Sequence, residues 1–190
     1  MDRFKKILVA ASPGHLETLT LSTAVSLADA NDAQLTVLDV VAPLPSWRKK
    51  INVEGRIIDV EAALLQDRKE RLRREVENTR GSRETEVIVT VGEPFLEVIR
   101  HVLARGHDLV MVGEPEVDTA ALPQPSSGVM HLLRKCPTPV WVMHPSLARS
   151  LRILALVDPD PDDPIRDGLN DLVLELATSL ARRMDGELHV

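Results

Sequence analysis

The run DLVMVG (108–113), the stretch EPEVDTAALPQP (114–125), the segment SSGVMHLLRK (126–135) and the run VWVMH (140–144) together decide the fold. DLVMVG is a short, almost unbroken apolar run, which is the pattern of a strand buried on both faces of a parallel sheet. The stretch after it has no periodicity and reads as a loop. Ser126 or Ser127 is placed to cap a short helix that ends near Lys135. Pro137 and Pro139 then stop the helix and lead into VWVMH as another strand. A strand, a helix and a strand joined this way predict a parallel crossover unit.

Reading outward toward the N-terminus, the same alternation repeats. KILVAA (6–11) is a buried strand ended by Ser12-Pro13-Gly14. Residues 15–31 form a helix with Leu16, Leu19, Leu21, Val25 and Leu27 on or near one face, closed by Asn31-Asp32, and AQLTVLDVV (33–41) is the second strand. The stretch holding Pro43, Pro45 and Gly55 reads as too irregular for regular structure. A long amphipathic helix is expected from Ile57 to Arg80, with Val60, Leu64, Leu65, Leu72 and Val76 inside. TEVIVTV (85–91) is a strand, residues 95–105 a helix, and Gly106 its C-cap. Gly92-Glu93-Pro94 either lines a ligand crevice at the carboxyl ends of the strands or simply starts a helix with proline in its first turn. The order predicts an α/β fold over residues 1–147: a Rossmann-like, doubly wound five-stranded parallel sheet.

Composition narrows the function. The 190 residues carry a net charge of −6, so nothing draws the whole chain to nucleic acid or to an anionic membrane. The cluster Arg68, Lys69, Arg71, Arg73 and Arg74 alternates with acids at helical spacing and reads as a solvated helix face. Cys136 is the one cysteine, which excludes an intrachain disulfide and a cysteine zinc cage; beside a proline at a helix end, it is expected to be a buried, inert thiol. No apolar run reaches membrane-spanning length, and MDRFKKILVAAS has no signal-peptide pattern, so the expected compartment is the cytoplasm. The six histidines show no metal-ligand spacing; His107, His131 and His144 are expected at the surface or at strand ends. Asp158, Asp160, Asp162 and Asp163 lack the glycine and closing glutamate of a calcium loop and read as a solvated turn. Nothing matches a nucleophile elbow or a Walker lysine, so no enzymatic activity is expected.

The chain then starts again. LRILALVD (151–158) repeats the character of KKILVAAS (5–12), and AVSLADANDAQLTV (24–37) matches ATSLARRMDGELHV (177–190) at seven positions, with about seven more residues after the first strand. Residues 150–190 are therefore expected to be the truncated N-terminal part of a second copy. Two strands and a helix cannot cover both faces of such a sheet, so a longer tandem protein, or completion by a partner, is expected.

The stretch 108–143, together with the opening strand and VGEP (91–94), resembles a universal stress protein domain, and most closely the tandem members of that family. The resemblance implies a nucleotide site built on a loop of the form G-x2-G-x9-G-S/T, where glycines admit phosphates to backbone amides at a helix N-terminus. Here Gly113 holds the first position, Glu116 the second, Ser126 the third and Ser127 the hydroxyl position. Pro115, Pro123 and Pro125 remove amide donors. The aspartate that binding members carry after the first strand is Ser12 here and Asp158 in the second copy; Val40 completes the implied set. A carboxylate at 116 repels phosphate. The reading is a stress-response binding or scaffolding module with a degenerate ATP site and no cofactor. The alternatives are an ATP or AMP switch using Gly113, Ser126 and Ser127, and, less favoured, a small-molecule or redox-cofactor binder. The resemblance also places the fifth strand at the sheet edge, where Trp141 is core or interface anchor; it implies a homodimer through residues 139–144, beside an unidentified protein partner.

Overall fold

The structure is a computed structural model describing residues 4–11, 17–53, 56–79, 84–114, 125–144, 152–158 and 164–190. It divides into two compact units, Asp2–His144 and a second made by Pro145–Val190.

The first unit is an α/β layer built on five parallel strands: β1 (Lys6–Ala10), β2 (Gln34–Val41), β5 (Thr85–Val91), β6 (Leu109–Gly113) and β7 (Val140–Met143), ordered β5-β2-β1-β6-β7. The central strands are apolar on both faces because both are covered. Ile7, Val9, Leu35, Val37 and Met111 point to the side packed by α1 (Thr18–Asn31) and Leu72 of α2 (Val60–Asn78). Leu8, Ala10, Leu38, Val40, Val110 and Val112 meet α3 (Pro94–Arg105) and α4 (Ser127–Lys135) on the other. Local chemistry sets the boundaries. Asp32 takes the left-handed conformation (φ 50°) that closes α1, and Gly106 (φ 67°) does the same for α3. Ser126 caps α4 through its hydroxyl, which accepts from the Val129 amide at 3.4 Å.

Two expectations are corrected, for the segment before α2 and for Cys136. The segment before α2 is not irregular: after a 3-10 turn at Ser46–Arg48 it forms an antiparallel hairpin, β3 (Lys50–Val53) and β4 (Arg56–Asp59), and the helix begins only at Val60. The run holding Ile51, Ile57 and Ile58 is too short to show a strand period in sequence. Of the two places expected for His107, the surface or a strand end, it takes the second, two residues before β6. It lies buried after α3, with Nδ1 3.2 Å from the His101 carbonyl and Nε2 3.4 Å from Thr36 Oγ1, and burial pushes its pKa down. Cys136 is half-buried, with Sγ 3.4 Å from Thr138 Oγ1.

In the second unit, β8 (Arg152–Leu154) pairs in parallel with β9 (Glu187–His189) across α5 (Pro164–Met184). That is the strand–helix–strand order of β1, α1 and β2.

Candidate functional site

In an open parallel sheet, ligands bind beyond the carboxyl ends of the strands, where the strand order reverses. Here the reversal falls between β1 and β6: the chain runs from β1 outward to β2 and β5, then returns to β6 and β7. The ends of β1 and β6 and the N-termini of α1 and α4 surround that point.

Gly113 ends β6 there. A side chain at this position would press on α1: a Cβ would stand 2.6 Å from both Glu17 Oε2 and Thr20 Oγ1. Thr20 donates its hydroxyl proton to the Glu17 carboxylate, which stands just before the first turn of α1. A larger residue here would therefore have to push the Glu17 and Thr20 side chains aside.

Glu114 follows. It is only 8% exposed, and its amide donates to the Met143 carbonyl at 2.9 Å, tying the end of β6 to β7. Its Oε1 accepts from the Ser126 hydroxyl at 2.8 Å and from the Ser126 amide at 3.2 Å. A helix N-terminus carries partial positive charge and free amides, and it attracts an anion. At α4 that anion is the protein's own carboxylate. The two donors that the implied phosphate loop would offer through Ser126 are already engaged.

Of the implied set, the structure brings Gly113 and Ser126 to one place through Glu114, with Ser127 exposed in the first turn of α4. Val40 is buried in the α3/α4 face of the core with Ala10 and Val112. Ser12 and Glu116 lie outside the described residues, as do Pro115 and Pro123. Asp158 belongs to the other unit, where its Oδ2 accepts from Arg166 at 2.8 Å, and its backbone is held by the Asn170 side chain at 3.0 and 2.8 Å.

Sequence reasoning missed Glu114. It follows a strand-ending glycine and precedes Pro115, and it stands twelve residues before the serine it engages; only the fold brings them together. Two other carboxylates near these strand ends are also engaged within the chain. Glu97 of α3 lies over Gly92, and Asp59 caps α2 by accepting from the Ala62 amide at 3.0 Å. Among the described residues no group of acids, histidines and cysteine is placed to hold a metal ion.

Comparison with known proteins is consistent with this architecture. Residues 3–144 match the family model described as the universal stress protein family. Universal stress protein E of Escherichia coli K12 is 30% identical over 107 residues, a match that spans 54% of this chain and 33% of that protein, so the similarity reaches about a third of the relative's length. Among solved structures, a Pseudomonas aeruginosa PAO1 protein described as functionally unknown superposes on all of this chain and 60% of its own, with 22% identity and a TM-score of 0.66. The universal stress protein UspA from Lactobacillus plantarum covers 74% of this chain and 98% of its own at 19% identity and a TM-score of 0.54. At those identities the structural likeness speaks to the fold.

Proposed function

The chain belongs to the universal stress protein family, and from that premise we propose that it is a non-enzymatic, cytoplasmic stress-response module that binds or scaffolds a protein partner, with its first nucleotide site closed by its own carboxylate. The observation that carries this reading is Glu114 seated on the N-terminus of α4. A phosphate arriving there would have to displace a buried carboxylate from two donors, or share the space with it against like-charge repulsion. Glu116, one position beyond Pro115, adds a second carboxylate to the same loop in sequence.

In the same reading, residues 1–147 form one complete domain and residues 150–190 begin a second. The parallel pairing of β8 with β9 supports it: Ile7 stands opposite Leu35 and Ile153 opposite Leu188, a connection seven residues longer in the second case, as the repeat alignment requires. The first-domain edge strand β7, which has one neighbour in the sheet among the described residues, supports a homodimer.

The test is to purify the protein without added nucleotide, denature it and identify released small molecules by mass spectrometry, with ATP titration calorimetry beside it. The expected result is no retained nucleotide and no heat for the native sequence, and measurable ATP heat once Glu114→Gly and Glu116→Gly are combined with Ser12→Asp. Stoichiometric ATP or AMP in the native protein would overturn the closed-site reading in favour of a nucleotide switch.

A further inference from the structure

The chain passes from α3 to β6 through Gly106, His107 and Asp108, and the middle residue of that connection is a histidine with 5% exposure. Its ring reaches two other elements. Nδ1 lies 3.2 Å from the His101 carbonyl in α3, and Nε2 lies 3.4 Å from the Thr36 hydroxyl in β2. A carbonyl only accepts, so Nδ1 carries the ring proton and Nε2 accepts from the threonine. In this neutral form the imidazole ties the last turn of α3 and the start of β6 to the amino-terminal half of β2.

The surroundings oppose a charge on the ring where it stands. The ionisable groups whose fields reach it are Arg105 and His101 of α3 and Lys6 of β1, each a cation when protonated. β2 contributes Gln34 and Thr36, which do not titrate. Two carboxylates come near in the fold, and both are engaged. Asp108 accepts from the Lys5 and Lys6 amides at 2.6 and 3.1 Å, and Glu86 of β5 pairs with Arg105 at 2.5 Å. Burial above all holds the His107 pKa below 6.5; the His101 carbonyl opposes it, and the charges of Arg105, His101 and Lys6 add to it.

A charged ring has a place to go. Beside it lies an open cavity of about 360 Å³, lined by Lys6, Gln34, Thr36, Glu86 and Arg105 as well as by His107 itself. Glu86 is half-exposed there, so both water and a carboxylate are at hand to solvate an imidazolium.

We propose that His107 is an acid-sensitive latch: neutral, it pins the α3–β6 connection to β2, and protonated, it turns out into the cavity toward Glu86 and releases the last turn of α3. The latch lies at the amino ends of the strands, opposite Glu114, and does not depend on the state of the nucleotide site. Its sign follows from the neutral buried form. The pinned state has its full stability above pH 6.5 and loses it as pH falls from 6.5 through the folded value.

The test is amide exchange by mass spectrometry on the full chain at about pH 7.5 and about pH 5, with exchange times scaled for the intrinsic chemical rate. Opening of residues 101–108 should rise about tenfold or more in acid, while α1 and α4 change by less than about twofold. His107→Gln keeps a donor for the carbonyl and an acceptor for Thr36 but takes no charge, so in that variant the acid rise should vanish. Ring-proton NMR of the native chain needs no variant: His107 should titrate below 6.5, and the midpoint of opening should follow it. Unchanged exchange at 101–108 in the native protein would overturn the proposal, as would a ring titration at or above 6.5. So would an acid rise that persists in His107→Gln, which assigns it to another group, or one equal in α1 and α4, which makes it general acid unfolding.

Discussion

Asp39 and Arg68 show what a residue does when the fold gives it an address that its neighbours in sequence do not reveal. Asp39 lies in β2, 1% exposed, and Arg68 reaches it from α2 at 3.3 Å. Burial raises the Asp39 pKa above 3.8, and the Arg68 charge pulls it back down. The folded chain therefore holds this proton to higher pH than the unfolded chain, so this group's contribution to stability is largest at low pH and falls as pH rises from 3.8 through the folded value. Removing the counter-charge should make the ionised carboxylate more costly. Arg68→Met is expected to lose about 1–3 kcal/mol at pH 7 and clearly less near pH 4; Asp39→Asn in that background should recover most of the loss. Urea denaturation at both pH values checks this. An equal loss at both, with no rescue by asparagine, would assign Arg68 to packing alone. In sequence, Arg68 was one of five cations on a helix that reads as solvated, and Asp39 one polar letter in an apolar strand; their pairing crosses 29 positions.

At the level of elements, the strands and the α1, α3 and α4 helices were readable because each carries its own signal: unbroken aliphatic runs, a left-handed cap at Asp32 and Gly106, a serine at the start of α4. The β3–β4 hairpin was not, because four-residue strands with exposed isoleucines have no core side to impose a period. The edge position of β7 also comes from the topology. Its half-buried Trp141 packs against the α1/α2 face of the core and Val142 against the other, so the side chains hold the strand to its own domain while one backbone edge has no sheet neighbour among the described residues. The expected homodimer through residues 139–144 is therefore a main-chain pairing. Sedimentation equilibrium at micromolar concentration should give twice the 21.0 kDa mass of the chain. A single species at 21.0 kDa would rule the pairing out.

For the molecule as a whole, the two units differ in how well they bury themselves. The first packs two apolar layers around one sheet. In the second, Leu154, Leu156, Ile165 and Leu169 are exposed, and the two-stranded pair β8–β9 has one helix to cover it. Apolar burial is the main source of cooperative stability. Amide exchange followed by mass spectrometry should therefore show β8, α5 and β9 exchanging at least about tenfold faster than β1, β2 and β6, a gap of about 1.4 kcal/mol in opening free energy. Equal protection would mean that the second unit is as well packed as the first. The alternation of strands and helices, the family, and the placing of a glycine and two serines around an expected phosphate loop are legible along the chain, because each is written in neighbouring residues. That Glu114 fills that loop's helix terminus, that Arg68 lies against Asp39, and that a tryptophan and three isoleucines stand exposed on or beside one hairpin emerge only in the folded chain. Those facts depend on distances between residues far apart along the chain, and pattern along the chain does not encode them.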